Sequence, residues 1–263
     1  MFHVEQLSEK LIVNNEKLID TFTQMLSFKY LLSLFFTLIF LLIMVPPITD
    51  NLLLGRQLRC PEGALAKEVG EYIFASNRNM IERSIDCLPL SGVKHLLEIG
   101  FGNGAHLPYL FAKAPHIHYT GVERSKQMTM DATDLNYELV TQGKAVFLHT
   151  PTENLPPLPY ESFEVCFSVN TYYFITDLRA YFQQIYSLLR KGASFVLGAI
   201  GKEFGERMPF TKEVFTFYTP EQLRELLLSV GFTAFDLQTF TEEISTKHGT
   251  LLTRPFEIIT VKK

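Results

Sequence analysis

The chain has 263 residues, 47% of them hydrophobic, and a formal net charge of −4. This length suits one α/β domain of roughly 200 residues with an appendage. The acidic balance and the lack of a basic patch exclude nucleic acid as the expected partner. The three cysteines have no close spacing, so the sequence predicts neither a disulfide framework nor a metal site.

The N-terminal segment is predicted to carry a membrane anchor. Residues 1–29 show apolar residues at near-helical spacing between charged ones, which is typical of an amphipathic helix. Residues 30–45 carry no charge, and Pro46-Pro47 follow them. This run is slightly shorter than the usual length of a spanning helix, although Lys29 and Tyr30 can anchor at an interface. We expect residues 30–47 to form a membrane helix; the alternative is a helix packed on the rest of the protein or on a partner chain.

The orientation of this helix follows from the flanking charges. Arg56, Arg59 and Lys67 follow the run, whereas Lys17 and Lys29 precede it. Because cytoplasmic flanks carry the excess of Lys and Arg, we expect the C-terminal domain to face the cytoplasm at a membrane. Residues 48–92 are predicted to be a linker as far as Leu58, followed by two helices that break near Ser76-Asn77. The main domain is predicted over residues 93–263.

A glycine-rich turn at the start of the main domain is the clearest motif. Residues 95–99 contain a short apolar run that indicates a buried parallel strand, and residues 100–104 read Gly-Phe-Gly-Asn-Gly. Glycines at such a turn let the backbone bend tightly and let a ligand approach closely. The helix that follows directs free amide groups at that ligand. The sequence therefore predicts a nucleotide-type site here.

Two ligands fit the turn. Gly100, Gly102 and Ala105 match the dinucleotide fingerprint G-x-G-x-x-G/A. The stretch from Glu98 to Gly104 resembles the glycine loop of class I methyltransferases that use S-adenosylmethionine (SAM). Glu98 would repel a pyrophosphate but would attract the amino group of SAM, so SAM is the preferred ligand. The dinucleotide alternative implies a nicotinamide-dependent oxidoreductase.

The remaining elements alternate between strand and helix. The second predicted strand ends in Glu123, whose carboxylate would lie at the ligand edge and could accept hydrogen bonds from both ribose hydroxyls. A helix is predicted over 125–141, strands over 145–149, 163–169 and 193–199, and helices over 176–189 and 219–230. Two final strands, 232–239 and 255–261, are separated by a polar stretch. The pattern predicts a Rossmann-like, seven-stranded, mostly parallel sheet with an antiparallel C-terminal strand and helices on both faces.

From Arg56 to the end, the chain resembles a class I SAM-dependent methyltransferase of the small-molecule type, the group around ubiquinone and menaquinone biosynthesis. The resemblance depends on Leu97–Gly104, on Glu123, on Val169–Phe174 and on Leu188–Gly192. It implies SAM as cofactor and methyl transfer as activity. The cofactor-binding residues that it implies are Glu98, Gly100, Phe101, Gly102, Asn103, Gly104, Glu123, Arg124, Met128, Thr152, Glu153 and Asn170.

One departure from the family concerns adenine. In the family, the loop after the third strand usually begins Gly-Asp-Ala, and its Asp binds the adenine amino group. Here the matching residues are Thr150-Pro151-Thr152, and Pro151 offers neither a carboxylate nor an N–H. Backbone groups, Glu153 or stacking must then hold the adenine. The departure leaves open a non-catalytic SAM-binding or scaffold protein with a decayed site.

The acceptor site is predicted from aromatic residues near the strand ends. Tyr172 and Tyr173 follow the fourth strand, and Phe204 and Phe210 lie in an aromatic-rich segment after the fifth. Together with the predicted anchor, they indicate a small acceptor of apolar or lipid-like character. No residue is supported as a catalytic base; His149, at the end of the third strand, is a weak candidate.

Overall fold

The computed structural model describes residues 50–151, 153–245 and 251–263. The predicted amphipathic segment 1–29 and the predicted membrane helix 30–47 lie outside these residues. No helix within the described ranges has the length and apolar character needed to cross a membrane. The described residues fall in one compact unit.

A single sheet of seven strands is the centre of this unit. The strands are β1 (His95–Ile99), β2 (His118–Glu123), β3 (Ala145–His149), β4 (Phe163–Val169), β5 (Leu189–Ile200), β6 (Thr233–Ser245) and β7 (Leu251–Lys262). Their order is β3-β2-β1-β4-β5-β7-β6, and β7 runs antiparallel to both of its neighbours. The predicted Rossmann-like, mostly parallel sheet with an antiparallel C-terminal strand is confirmed.

Helices cover both faces of the sheet. They are α1 (Asn51–Arg59), α2 (Ala66–Asp86), α3 (Leu107–Lys113), α4 (Lys126–Leu135), α5 (Tyr137–Thr141), α6 (Leu178–Leu188), α7 (Lys202–Glu206) and α8 (Pro220–Val230), with 3₁₀ turns at Gly63–Leu65 and Tyr172–Phe174. One hydrophobic core joins the sheet to α6 and α8, and the other joins it to α2 and α3. The carboxyl ends of β1, β2 and β4 therefore meet at one edge between two packed layers.

The segment before β1 differs from the prediction. The predicted linker contains α1, which begins because the Asp50 carboxylate accepts the amides of Leu52 and Leu53 at 2.8 and 3.3 Å. The predicted break near Ser76-Asn77 is absent, and α2 is continuous across it. Polar residues on one face of a packed helix weaken its apolar periodicity without interrupting the backbone.

Three other boundaries differ from the sequence interpretation. The helix predicted over 125–141 is divided at Asn136, whose side-chain amide donates to the carbonyl of Gly104 at 3.1 Å. Arg190, Lys191 and Gly192 belong to β5 rather than to the end of a helix, because Leu189 already pairs with Phe163. Both strands of the final hairpin are several residues longer than predicted.

Candidate functional site

The turn after β1 has backbone conformations that only glycine adopts readily. Gly100, Gly102 and Gly104 have φ angles of +79°, +60° and +68°. A Cβ at Gly100 would overlap the side chain of Thr171, whereas a Cβ at Gly102 would enter open space. The Gly100 amide donates to the carbonyl of Val122 at 2.8 Å, which ties the turn to β2. The loop thus leaves room for a ligand directly beside Gly102.

Glu123, the last residue of β2, is 7% exposed and is held by three backbone amides. Its Oε1 accepts from Arg124 and Ser125 at 2.7 and 2.8 Å, and its Oε2 accepts from Gly102 at 3.1 Å. Burial raises the pKa of this carboxyl, and the three amide donors oppose that rise. Because a carboxylate oxygen can accept two hydrogen bonds, Oε2 keeps capacity for a hydroxyl donor.

Glu98, in β1, is 2% exposed and already has two partners. Its Oε2 accepts from the hydroxyl of Tyr119 at 2.6 Å and lies 2.8 Å from Nε2 of His106. Burial, reinforced by the neighbouring carboxylate, raises the pKa of Tyr119 well above its ordinary value. Tyr119 therefore remains a donor at neutral pH. The Tyr119 hydroxyl and the His106 imidazole together hold the Glu98 carboxylate in one orientation.

Glu153 links several elements beside this loop. Its Oε1 pairs with Nη2 of Arg59 at 2.7 Å, and its Oε2 accepts the Thr176 amide at 2.8 Å. The Thr176 hydroxyl donates to Oε1 at 3.2 Å, and Nη1 of Arg124 lies 3.9 Å from the same oxygen. Most of the hydrogen-bonding capacity of Glu153 is therefore used within the protein, which limits what it can offer to an adenine.

The loop after β3 contributes little to this arrangement. Thr152, a predicted cofactor residue, lies outside the described residues. Pro151 and His149 line a separate depression that also contains Lys126. Nε2 of His149 donates to the carbonyl of Arg124 at 3.1 Å, so this imidazole is turned to the backbone.

A cavity of about 400 Å³ opens at the carboxyl ends of β1, β2 and β4. Its size lies within the range of roughly 300–1,000 Å³ that is usual for small-molecule sites. Ten of the twelve predicted cofactor residues line it, namely Glu98, Gly100, Phe101, Gly102, Asn103, Glu123, Arg124, Met128, Glu153 and Asn170. Gly104, the last glycine of the loop, faces away from the cavity, and a Cβ there would meet Ala132 and Asn136.

Two of these lining residues also have structural roles. The ring of Phe101 is 4% exposed and packs edge-on against Phe147, with centroids 5.0 Å apart. Asn170 adopts a left-handed φ of +56° and accepts from the Tyr173 hydroxyl and, at 3.3 Å, from the Ile200 amide. These contacts hold the turn after β4 against the end of β5.

The far end of the cavity is apolar. Of the predicted acceptor residues, Tyr173, Phe204 and Phe210 line it. Tyr172 differs from the prediction: it packs in the core, and its hydroxyl lies 3.5 Å from the backbone of Tyr218. The 3₁₀ turn points adjacent side chains in different directions, so only one of the two tyrosines reaches the cavity.

Sequence reasoning missed part of the cavity wall. Tyr181 of α6 lines it, and its buried hydroxyl has no hydrogen bond of ordinary geometry, although Ser168 and Thr171 lie near enough to moderate its raised pKa. Ile244 and Leu252 of the final hairpin line it as well. Their spacing in the sequence gave no signal, because the register of β6 on β7 brings them together.

The described residues fit SAM. Gly102 and Glu123 provide an open backbone and a carboxylate side by side. Three amides already use three acceptor positions of Glu123, so the carboxylate suits one ribose hydroxyl rather than the two expected from the sequence. Glu98 offers a fixed negative charge in the same cavity, suited to an amino group. The aromatic end lies beyond these groups, where an acceptor could approach.

Comparison with known proteins supports this assignment. Residues 97–197, about two fifths of the chain, match a family model described as a methyltransferase domain. This part of the chain is therefore similar to a methyltransferase domain, in agreement with its motifs. No curated protein gave a significant match to the chain.

Solved structures with the same fold include enzymes of several kinds. A Thermotoga maritima SAM-dependent methyltransferase, described as a possible histamine N-methyltransferase, is 23% identical over 76% of this chain and 98% of its own, with a TM-score of 0.54. The Haemonchus contortus phosphoethanolamine N-methyltransferase 2, in complex with phosphomonomethylethanolamine and S-adenosylhomocysteine, is 14% identical over 83% of this chain and 61% of its own, with a TM-score of 0.57. The [4+2]-cyclase SpnF is 17% identical over 71% and 80%, with a TM-score of 0.56. At these identities the likeness establishes the fold, and the acceptor must be argued from the site.

Proposed function

We propose that the protein transfers a methyl group from SAM to a small acceptor of apolar or lipid-like character. The observation that carries this proposal is the composition of the cavity. Its polar end contains the glycine loop, Glu98 and Glu123, and its other end has aromatic and aliphatic walls that include Phe204, Met208 and Phe210. An apolar acceptor buries its surface favourably against such walls.

Methyl transfer depends mainly on the position of the acceptor relative to SAM. SAM supplies a methyl group already activated on a sulfonium, and transfer forms a bond from the acceptor's lone pair to that carbon while the C–S electron pair returns to sulfur. Glu123 and the glycine loop hold one partner, and the aromatic wall orients the other, so much of the rate gain comes from proximity. No side chain of the described residues is assigned as a base.

Calorimetric titration and product analysis test the proposal. The full-length protein should bind both SAM and S-adenosylhomocysteine, and absence of binding by both in folded protein would exclude it. Incubation with isotope-labelled SAM in membranes, followed by untargeted lipid and metabolite profiling, should give a labelled product of apolar character. A labelled product that is strongly charged would contradict the proposed acceptor class.

A second candidate is a SAM-binding protein without transferase activity. It is favoured by Pro151 at the position of the expected adenine-binding acid and by the internal ion pair that occupies Glu153. The informative result is cofactor binding without label transfer across the same panel. Turnover of any acceptor would exclude this candidate.

We also propose that residues 30–47 anchor the protein to a membrane with its methyltransferase domain facing the cytoplasm. The support is the uncharged run over residues 30–45 and the basic residues that follow it. Fractionation of expressing cells provides the test, since an anchored protein should resist extraction by high salt and by alkaline carbonate. Release by either treatment would refute the anchor.

A further inference from the structure

The final hairpin extends beyond the sheet that it completes. β7 pairs with β5 from Lys262 back to Phe256, where β5 ends at Ile200. Beyond that point β6 and β7 continue to pair with each other, from Thr241 opposite Pro255 to Ser245 opposite Leu251. The last contact with the end of β5 is the Gly201 amide, which donates to the carbonyl of Pro255 at 3.1 Å. At about 3.3 Å per residue, this overhang reaches roughly 15 Å past the carboxyl end of β5. It thus projects at the edge of the sheet where the cavity lies.

The two faces of the overhang differ in character. Strand alternation puts Glu242 and Ile244 on one face of β6, and Leu252 and Arg254 on the same face of β7. Ile244, Leu252 and Arg254 line the cavity. On the opposite face, Thr241, Glu243, Leu251 and Thr253 are exposed. The overhang is therefore a roof with an inner face directed at the cavity.

A buried ion pair fastens this roof to helix α2. The Arg254 guanidinium donates to Oε1 of Glu242 from Nε at 2.8 Å and from Nη2 at 2.5 Å. It also donates to Oδ1 of Asn77 at 3.0 Å and to the carbonyl of Ser76 at 2.6 Å. Asn79 donates to the other oxygen of Glu242 at 2.7 Å. Both charged side chains are under one tenth exposed.

The charge balance of this end determines which ligands suit it. Among the described residues of the roof, Arg254 carries the positive charge next to Ile244 and Leu252. Its ion pair with Glu242 neutralises that charge. An anionic acceptor would lose its hydration there and would find a guanidinium whose donors are already engaged. A neutral acceptor loses little hydration and gains contact with the two aliphatic side chains.

We propose that the β6–β7 overhang is a specificity element that selects uncharged apolar acceptors, through Ile244 and Leu252 as contact residues and the Glu242–Arg254 pair as the neutralising clamp. The proposal depends on the proposed function, since it assigns the acceptor subsite of that same cavity. It distinguishes this site from one for phosphate-bearing or carboxylate-bearing acceptors.

Photo-labelling with two matched probes tests the proposal. The full-length protein, purified in one mild detergent and loaded with S-adenosylhomocysteine, is irradiated with a diazirine-bearing decanol or with the matching decanoate. Labelled peptides are then located by mass spectrometry, so that partition of the probe into detergent does not affect the readout. We call the cavity-lining residues Phe204, Met208, Phe210 and Phe215 the aromatic wall. We expect the decanol to label peptides from the roof and from the aromatic wall at least about tenfold more than the decanoate does.

Variants separate the roof from the rest of the hairpin. Ile244→Ser and Leu252→Ser should each reduce labelling of the aromatic wall by about fivefold or more, because each removes apolar contact area. Leu237→Ser, on an exposed part of β6, is the matched control and should leave it unchanged. Glu242→Gln, which leaves Arg254 unneutralised, should shift the ratio of labelling towards decanoate by about tenfold.

The outcomes are distinct for the two proposals. Folded parent protein that binds neither SAM nor S-adenosylhomocysteine would refute the proposed function. Parent protein that binds it, yet labels equally with both probes or labels outside the roof and the aromatic wall, would overturn the roof as a specificity element. Unchanged labelling of Ile244→Ser and Leu252→Ser, with S-adenosylhomocysteine binding retained, would overturn it as well, even if Glu242→Gln fails to fold.

Discussion

Replacement of Glu123 by glutamine is the most direct test of the cofactor site. The carboxylate has up to four acceptor positions, and three are used by the amides of Gly102, Arg124 and Ser125. An amide of the same shape can keep the two bonds at Oε1 but presents an NH₂ group where Gly102 and a ribose hydroxyl both donate. At least one charge-assisted hydrogen bond to the ligand is then lost.

The magnitude follows from that count. A hydrogen bond to a charged group contributes about 1.5–3 kcal/mol, so Glu123→Gln should weaken S-adenosylhomocysteine binding by roughly 10- to 150-fold. The fold itself should change by no more than about 1 kcal/mol, because the neutral amide relieves the desolvation of a buried carboxylate while it loses one amide donor. The variant should therefore lose cofactor affinity while its stability stays close to that of the parent.

Isothermal titration calorimetry measures the binding and urea denaturation measures the stability. Glu138→Gln, at an exposed acid of α5, is the matched control and should bind as the parent does. If folded Glu123→Gln binds S-adenosylhomocysteine within about threefold of the parent, Glu123 does not hold the cofactor. The ligand would then have to occupy another part of the cavity.

Four further predictions concern Glu123, the glycine loop and the β6–β7 overhang. Because the pKa of Glu123 is raised, its proton is bound more tightly in the folded than in the unfolded chain. Affinity for S-adenosylhomocysteine should therefore fall as pH drops through a range above the ordinary carboxyl pKa. Calorimetry at several pH values should find this dependence in the parent and not in Glu123→Gln. The same group should contribute stability that is present at low pH and lost as pH rises to the raised pKa, which urea denaturation of parent and variant will show or contradict. Gly100→Ala should lower the free energy of unfolding by about 2–4 kcal/mol, because it combines a positive φ with overlap against Thr171. Gly102→Ala has the cost of the positive φ alone and should lower it by about 1 kcal/mol. Equal losses of stability in thermal melts would refute the role of the Thr171 overlap. Arg254→Ala should cost about 3–5 kcal/mol because it leaves Glu242 buried without its partner, and a loss below about 1 kcal/mol would show that the clamp is not a stabilising contact.

The strands and the glycine loop could be predicted because their signals are local. Leu96, Leu97 and Ile99 form an apolar run of strand length, and the glycines that follow need conformations that other residues avoid. Helix α8 is similar: Thr219 and Gln222 form a capping box at its start, and Gly231 ends it with a φ of +117°. In each case the residues that determine the element lie within or beside it.

The errors arose where the stabilising partner is distant in the chain. Ser76 and Asn77 suggested a break in α2, yet both accept hydrogen bonds from Arg254, which follows them by more than 170 residues. The polar residues after Thr239 suggested a loop, yet Glu242 pairs across the hairpin with Arg254 and extends both strands. A single sequence contains the residues of such pairs but no indication that they meet.

The buried partners of Glu98 change what that acid can do in the site. In the sequence, only the charge of Glu98 distinguishes an amino group from a pyrophosphate as its ligand. In the structure, Tyr119 donates to Oε2 at 2.6 Å and His106 lies 2.8 Å from the same oxygen, so one side of the carboxylate is already satisfied while the residue still lines the cavity. A carboxylate held in this way pays little further ordering entropy when a ligand arrives, and its charge stays oriented towards the cavity. The discrimination between SAM and a dinucleotide therefore depends on Glu98 as a fixed charge, and its two partners are the residues that fix it.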